Sequence, residues 1–445
     1  MLVVTDITAI TMDRDRRVVH DAAVAIDGTR IAAVGKAAGV RAHYAGADVI
    51  DGHGMVALPG LIDAHAHADQ SLLRGRTDDL PWVPFLAEWI DPYLRERDPA
   101  AAVAAYRLTM LEMLRSGTTC FVSPNVDPRD DLDALVGAID AMGLRAVLAH
   151  WVDTPAALDP ASAAVERWDG TAGGRVQMRF GLDIPRLPGD RYQPELYGAT
   201  AARARELGSG IVSHFCSEVE DWTYYEDHFS LRPTQWAERE GILGPSTLLI
   251  NGCWLSAVEA RILSETGTPV VASPTATMKM ASGTTPVRDL RDAGVTVALG
   301  TDGAANNNGF DMVREMKAAC LSQNAARRRA GTLTAEDALE MATIDGARAL
   351  GLDAELGSIE PGKRADLVLV DLRRAHTWPV HDPVSNLVYA ATGRDVDTVI
   401  IDGTVLVRGG APALVDEGAV LDDAARAAAG VARLLPERDR RWPHG

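Results

Sequence analysis

Between residues 56 and 352 the chain alternates short apolar runs with stretches of helical pattern. Eight strand candidates can be read there: Ala57–Ala64, Thr118–Val122, Ala146–Trp151, Val176–Ile184, Gly210–Cys216, Thr247–Asn251, Pro269–Ala272 and Thr296–Gly300. They are almost continuously apolar, as parallel strands covered on both faces must be. Eight such units over about 300 residues are what a (β/α)8 barrel of the TIM type requires. That architecture is the predicted fold, α/β in class. In it, chemistry gathers at the C-terminal ends of the strands.

The two ends of the chain follow another rhythm. Thr8–Met12, Ala22–Ile26 and Arg30–Val34 are short strands, the last two separated by the turn Asp27-Gly28. The same pattern returns in Ala365–Asp371, Val396–Ile401 and Thr404–Val407, the last two joined by Asp402-Gly403. Residues 1–55 and 353–420 are therefore expected to form one composite β-sandwich beside the barrel of residues 56–352. Residues 421–445 close the chain with an Ala/Arg-rich helical tail, a solvated helix or an oligomer contact.

Bulk composition excludes several classes of function. The formal net charge of −18 disfavours nucleic acid and anionic membrane as partners. No apolar run is long enough to span a bilayer. The N-terminal residues lack the basic region and cleavage site of a signal peptide, so a cytoplasmic setting is expected. The four cysteines, Cys120, Cys216, Cys253 and Cys320, are scattered and fit a reducing compartment. The zinc-deaminase signature His-x-Glu with Pro-Cys-x-x-Cys does not occur.

Chemistry-bearing residues cluster at predicted strand ends. His65 and His67 follow the first strand at i, i+2, so on extended backbone they share one face. His214 ends the fifth strand, and Asp302 follows the eighth in Leu299-Gly300-Thr301-Asp302-Gly303. In a barrel these four side chains converge on one mouth. Three imidazoles and a carboxylate accommodate a divalent transition metal, with Zn²⁺ first and Fe²⁺, Co²⁺ or Mn²⁺ as alternatives.

These residues sit within longer motifs. Leu58-Pro59-Gly60-Leu61-Ile62-Asp63-Ala64-His65-Ala66-His67, Leu72-Leu73-Arg74-Gly75, Gly117-Thr118-Thr119 and Thr301-Asp302-Gly303-Ala304-Ala305-Asn306 are four of them. Gly357-Ser358-Ile359-Glu360-Pro361-Gly362-Lys363-Arg364-Ala365-Asp366-Leu367 and His381-Asp382-Pro383-Val384 are two more. Together they resemble the metal-dependent amidohydrolase superfamily, in its deaminase and triazine-hydrolase branch, over nearly the whole chain. The resemblance implies a barrel carrying a β-sandwich, and an enzyme acting on carbon–nitrogen bonds other than peptide bonds. It implies hydrolysis of a small molecule by metal-bound hydroxide, with His65, His67, His214 and Asp302 as ligands and Asp302 as proton carrier. It also implies a homo-oligomer. Binuclear relatives commonly bridge their metals with a carboxylated lysine after strand three or four. No lysine lies between Lys36 and Lys279, so one metal per chain is expected.

Three departures from that pattern direct the substrate expectation. Asn251 stands where strand six of the family ends in histidine, and an amide cannot shuttle a proton near neutral pH. Ser217 stands where deaminases place a glutamate, with Glu218 one residue later as the candidate acid/base group. Strand seven ends Ala272-Ser273-Pro274 rather than His-Cys-Pro. The strand-six asparagine is similar to the phenylurea and molinate hydrolase subgroup. The expected activity is therefore cleavage of an apolar or aryl urea, carbamate or amide, with Asn251 stabilising the oxyanion. The alternative is a deaminase or chlorohydrolase of a nitrogen heterocycle. A non-catalytic relative would require an incomplete ligand set. Expected substrate contacts are Trp82, His150 and Asn306, with Trp222, Tyr224 and Tyr225 in an aromatic loop after strand five.

Overall fold

The computed structural model describes residues 1–185 and 193–436. Its centre is a parallel sheet of eight strands, each hydrogen-bonded to the next in chain order. They are Leu61–Asp63, Thr118–Val126, Arg145–Trp151, Val176–Gly181, Ile211–Phe215, Thr247–Asn251, Val270–Ala272 and Val297–Leu299. We number these barrel strands one to eight. The first and last meet through Ala64 N donating to Leu299 O at 2.9 Å and Asp302 N donating to His65 O at 2.8 Å. Each of the eight predicted strands is present.

Period-two alternation decides which side chains fill the barrel. Ile62, Ala64, Val122, Val147, Val212 and Leu248 belong to one buried cluster. Their strand neighbours Leu61, Phe121, Ala146 and Leu249 belong to a second, shared with the surrounding helices.

The predicted strand Ala57–Ala64 is two strands. Met55–Pro59 pairs in the terminal sheet, and Leu61–Asp63 begins the barrel. The break falls at Gly60, whose amide donates to Asp366 O at 2.9 Å. A Cβ at this position would lie 2.0 Å from Thr119 Oγ1, so only glycine lets the chain cross between the sheets.

The terminal segments form one mixed sheet of nine strands containing Leu2–Ile10, Val18–Asp27, Arg30–Lys36, Leu367–Asp371 and Val396–Ile401. Leu367–Asp371 pairs antiparallel with Met55–Pro59 and joins the two ends of the chain. Arg145, at the start of barrel strand three, ties the sheet to the barrel. Its Nε lies 2.7 Å from Asp366 Oδ2, and it also pairs with Asp402.

The tail helix runs Glu417–Val431 and packs on the barrel helix Pro99–Arg115, rather than standing free in solvent. Val420, Ala424 and Val431 are buried, and Arg107 and Arg115 pair with Asp423 and Glu417. Residues 437–445 of the predicted tail lie outside the described residues. Among the described residues no helix is long and apolar enough to cross a membrane.

Candidate active site

Three strand ends deliver the site. His65 and His67 follow strand one, His214 is the fourth residue of strand five, and Asp302 lies three residues beyond strand eight. The loops after strands one and eight are tied together by Asp63. Its Oδ2 accepts from Thr301 Oγ1 at 2.5 Å, and its Oδ1 accepts from Thr301 N at 2.9 Å. Burial pushes the Asp63 carboxyl up to about 7, against those hydrogen bonds. Gly300 makes this close approach possible, because a Cβ there would sit 2.7 Å from His65 N and Cβ.

The three imidazoles face one another. Their candidate ligand atoms all lie within 4.8 Å of one another. His67 Nε2 is 3.2 Å from His214 Nε2, and the two rings are stacked 3° from parallel. His65 Nε2 lies 3.4 Å from Asp302 Oδ1, and His67 Nε2 lies 3.7 Å from the same oxygen. His65 is fully buried, and neither ring nitrogen makes a hydrogen bond among the described residues. Buried imidazoles in that state cost free energy unless something accepts their lone pairs. This donor set therefore fits a divalent metal.

The electrostatics point the same way. Burial pushes His67 down to about 3, with His65 adding to the effect, so the ring is neutral and keeps a lone pair to offer. For Asp302, burial opposes ionisation, but His65 and then His67 and His214 hold its carboxyl well below the usual range. Asp302 and Asn251 both adopt left-handed backbone, with φ of 66° and 75°. Such conformations concentrate where a fold aims side chains at a site.

These groups border a cavity of about 370 Å³, within the range of small-molecule sites. His67, His214, Asn251 and Asp302 line one part of it, and Trp82, Phe85 and Trp151 provide apolar wall. Asp69, Asp91 and Asp153 add carboxylates, of which Asp69 is raised by burial to about 6 despite Arg97. Asn306 also lines the cavity, and its Oδ1 accepts from Gly303 N at 3.0 Å.

Sequence reasoning missed Asp183, Asn125, Gln70 and Trp151, all of which line this cavity. Asp183 follows strand four by two residues and Trp151 ends strand three, so the strand-end rule was signal enough for both. Lys279 donates to Asp78 at 2.5 Å and to Asn308, which leaves it no part in the histidine cluster.

Other expected contacts do not reach the cavity. The predicted aromatic loop is a helix, Val219–Phe229. Helical spacing buries Tyr225 against Phe229 and Trp236, with ring centroids 5.4 and 5.3 Å away. Tyr224 stacks on His228, and Trp222 lies under the Arg232 guanidinium at 4.9 Å. None of Trp222, Tyr224 and Tyr225 lines the cavity. His150 is buried, and strand alternation turns the next residue, Trp151, to the cavity in its place. Glu218 caps the Val219–Phe229 helix and is not among the lining residues. Asn251 donates through Nδ2 to Ser217 Oγ at 3.1 Å.

The chain is 38% identical to a 5-methylthioadenosine/S-adenosylhomocysteine deaminase of Moorella thermoacetica, over 88% of this chain and 91% of that protein. It is 34% identical to a 5′-deoxyadenosine deaminase of Methanosarcina mazei, over 96% of this chain and 97% of that one. Among solved structures, a zinc-bound adenosine deaminase from Xanthomonas campestris superimposes with a TM-score of 0.91 at 28% identity, covering 97% and 98% of the two chains. The zinc complex of atrazine chlorohydrolase TrzN from Arthrobacter aurescens superimposes at 0.87 with 25% identity, covering 96% of this chain and all of that one. The similarity runs to nucleoside deaminases. The expected affinity with phenylurea and molinate hydrolases finds no support in it, and the heterocycle deaminase becomes the better-supported reading. A model of the amidohydrolase family matches residues 56–406, and the chain belongs to that family of hydrolases acting on carbon–nitrogen bonds other than peptide bonds.

Proposed function

We propose that this protein is a metal-dependent deaminase of adenine-nucleoside-like substrates. The observation that carries the reading is the cluster of His65, His67 and His214 beside Asp302, of which His67, His214 and Asp302 line a cavity of about 370 Å³. The relatives supply the substrate class, since the curated ones named above deaminate adenosine derivatives.

His65, His67 and His214 would hold one divalent metal, with zinc as the favoured ion because related structures contain it. Such an ion makes water nucleophilic near neutral pH. The remaining steps fall to the chain itself. Asp302, whose carboxyl lies well below the usual carboxylate range and is therefore ionised, accepts a proton from the attacking water and returns it to the departing nitrogen. Asn251 lines the cavity beside it and orients a hydrogen-bonding partner without exchanging a proton. Trp82, Phe85 and Trp151 offer aromatic surface to the base, and Asp69, Asp91 and Asp153 offer acceptors to sugar hydroxyls. Asn306 braces the loop that carries Asp302.

The test is a substrate panel on zinc-loaded protein. 5′-Deoxyadenosine, 5′-methylthioadenosine and adenosine are assayed for ammonia beside a phenylurea and thiocarbamate set assayed for amine. Ammonia from the nucleosides supports the proposal. Amine from the second set with none from the first overturns it.

A further inference from the structure

We propose that Asp183, clamped by Asn125, is the positioning residue that presents His214 to the metal. The inference rests on the reading of His65, His67 and His214 as a metal site, and extends it to a group outside the ligand set.

Asp183 holds the strand-five histidine at two points. Its Oδ1 accepts from the His214 backbone amide at 3.0 Å and lies 3.0 Å from the ring Nδ1. A carboxylate at that distance takes a hydrogen bond from Nδ1–H, which leaves the proton off Nε2. Nε2 is the nitrogen turned toward His67, at 3.2 Å. The tautomer and the ring plane that the metal site needs are therefore both set from behind the ring.

The carboxylate is itself fixed. Asp183 Oδ2 accepts from Asn125 Nδ2 at 2.9 Å. Asn125 holds left-handed backbone, with φ of 51°, near the end of barrel strand two. Gly181 leaves room for it, because a Cβ at that position would lie 2.9 Å from Asn125 Oδ1 and 3.1 Å from Ala149 O. Strand ends two, four and five thus form one chain of contacts, Asn125 to Asp183 to His214. Asp183 also borders the cavity, so a misplaced ring would be felt where substrate binds.

The experiment measures metal binding rather than turnover. Wild type, Asp183→Asn, Asp183→Ala and Asn125→Ala are stripped of metal. They are then titrated with Zn²⁺ against a chromophoric chelator and with Co²⁺ by visible absorption, and the melting temperature of each metal-free protein is recorded. Asp183→Ala is expected to weaken zinc binding by about 10- to 100-fold and to alter the cobalt spectrum. Asp183→Asn keeps an acceptor but loses the charge, so it should fall between Ala and wild type, as should Asn125→Ala. A merely structural role would lower the metal-free melting temperature while leaving zinc affinity and the cobalt spectrum unchanged. That result, or equal affinity in all four proteins, overturns the inference while the metal site stands. Wild type that takes up neither ion overturns the metal-site reading and this inference with it.

Discussion

His67 Nε2 and His214 Nε2 point at each other across 3.2 Å, from rings stacked 3° from parallel. With His67 held neutral by burial, and an acceptor behind His214 Nδ1, two lone pairs face each other in a buried space. A cation between or beside them relieves that repulsion. Replacing either ring by alanine should empty the site. His67→Ala and His214→Ala are expected to purify with little zinc. Deamination should fall by at least about 10³-fold, because the water pKa no longer drops from 15.7 toward 7. Metal analysis by mass spectrometry, beside circular dichroism to show the fold intact, checks this.

Asn251 lines the cavity at left-handed backbone, a conformation that histidine also tolerates better than most residues. Asn251→His should therefore fold. In a deaminase whose strand-six proton shuttle has been replaced, the variant should keep or raise turnover of 5′-deoxyadenosine. A severalfold fall with unchanged metal content would show that the amide itself is needed.

Arg145 is buried against Asp366 and Asp402 where the barrel meets the terminal sheet. Arg145→Met strips the buried Asp366 of its cation, while Asp402 keeps Arg364 at 3.2 Å. The expected loss of stability is about 3–5 kcal/mol, the cost of breaking a buried ion pair from one side. Urea denaturation reads it. Removing Asp366 and Asp402 as well should recover part of the loss.

Glu315 gives the stability a pH dependence of known sign. Burial raises its carboxyl to about 8, although Thr275 N and Asn307 Nδ2 both donate to it. The folded chain therefore keeps a proton that the unfolded chain releases above the ordinary glutamate value of 4.5. Its contribution is fully present below the unfolded value and is lost as pH rises toward the folded one. Glu315→Gln should remove that slope. Urea midpoints between about pH 5 and pH 9 should show the variant gaining on wild type as pH rises.

The barrel was readable because a parallel strand covered on both faces leaves a compact apolar run, and all eight runs are strands. His65, His67, His214 and Asp302 were readable because they stand at the ends of those runs. What was misread lay where period and polarity do not separate loop from helix. The stretch after His214 is rich in aromatic residues, and Tyr225 and Phe229 at i, i+4 form helix core rather than pocket wall. Asp183 is legible in the sequence only as a polar residue two positions past strand four, and its part is not. Its partners emerge when barrel strands two, four and five bring Asn125, Asp183 and His214 together. The relatives favour the alternative deaminase reading over urea or carbamate cleavage, because three local departures, at Ser217, Asn251 and the end of strand seven, count for less than 38% identity to a 5-methylthioadenosine/S-adenosylhomocysteine deaminase over 88% of the chain.

The central claim is that metal held by His65, His67 and His214 makes this chain a nucleoside deaminase. The most direct test follows ammonia release from 5′-deoxyadenosine by one preparation in three states: zinc-loaded, chelator-stripped and zinc-restored, with zinc per chain measured in each. The account predicts one zinc per chain and turnover in the first and third states, and neither in the second. Equal turnover in all three states, or none in a preparation holding one zinc per chain, would contradict it.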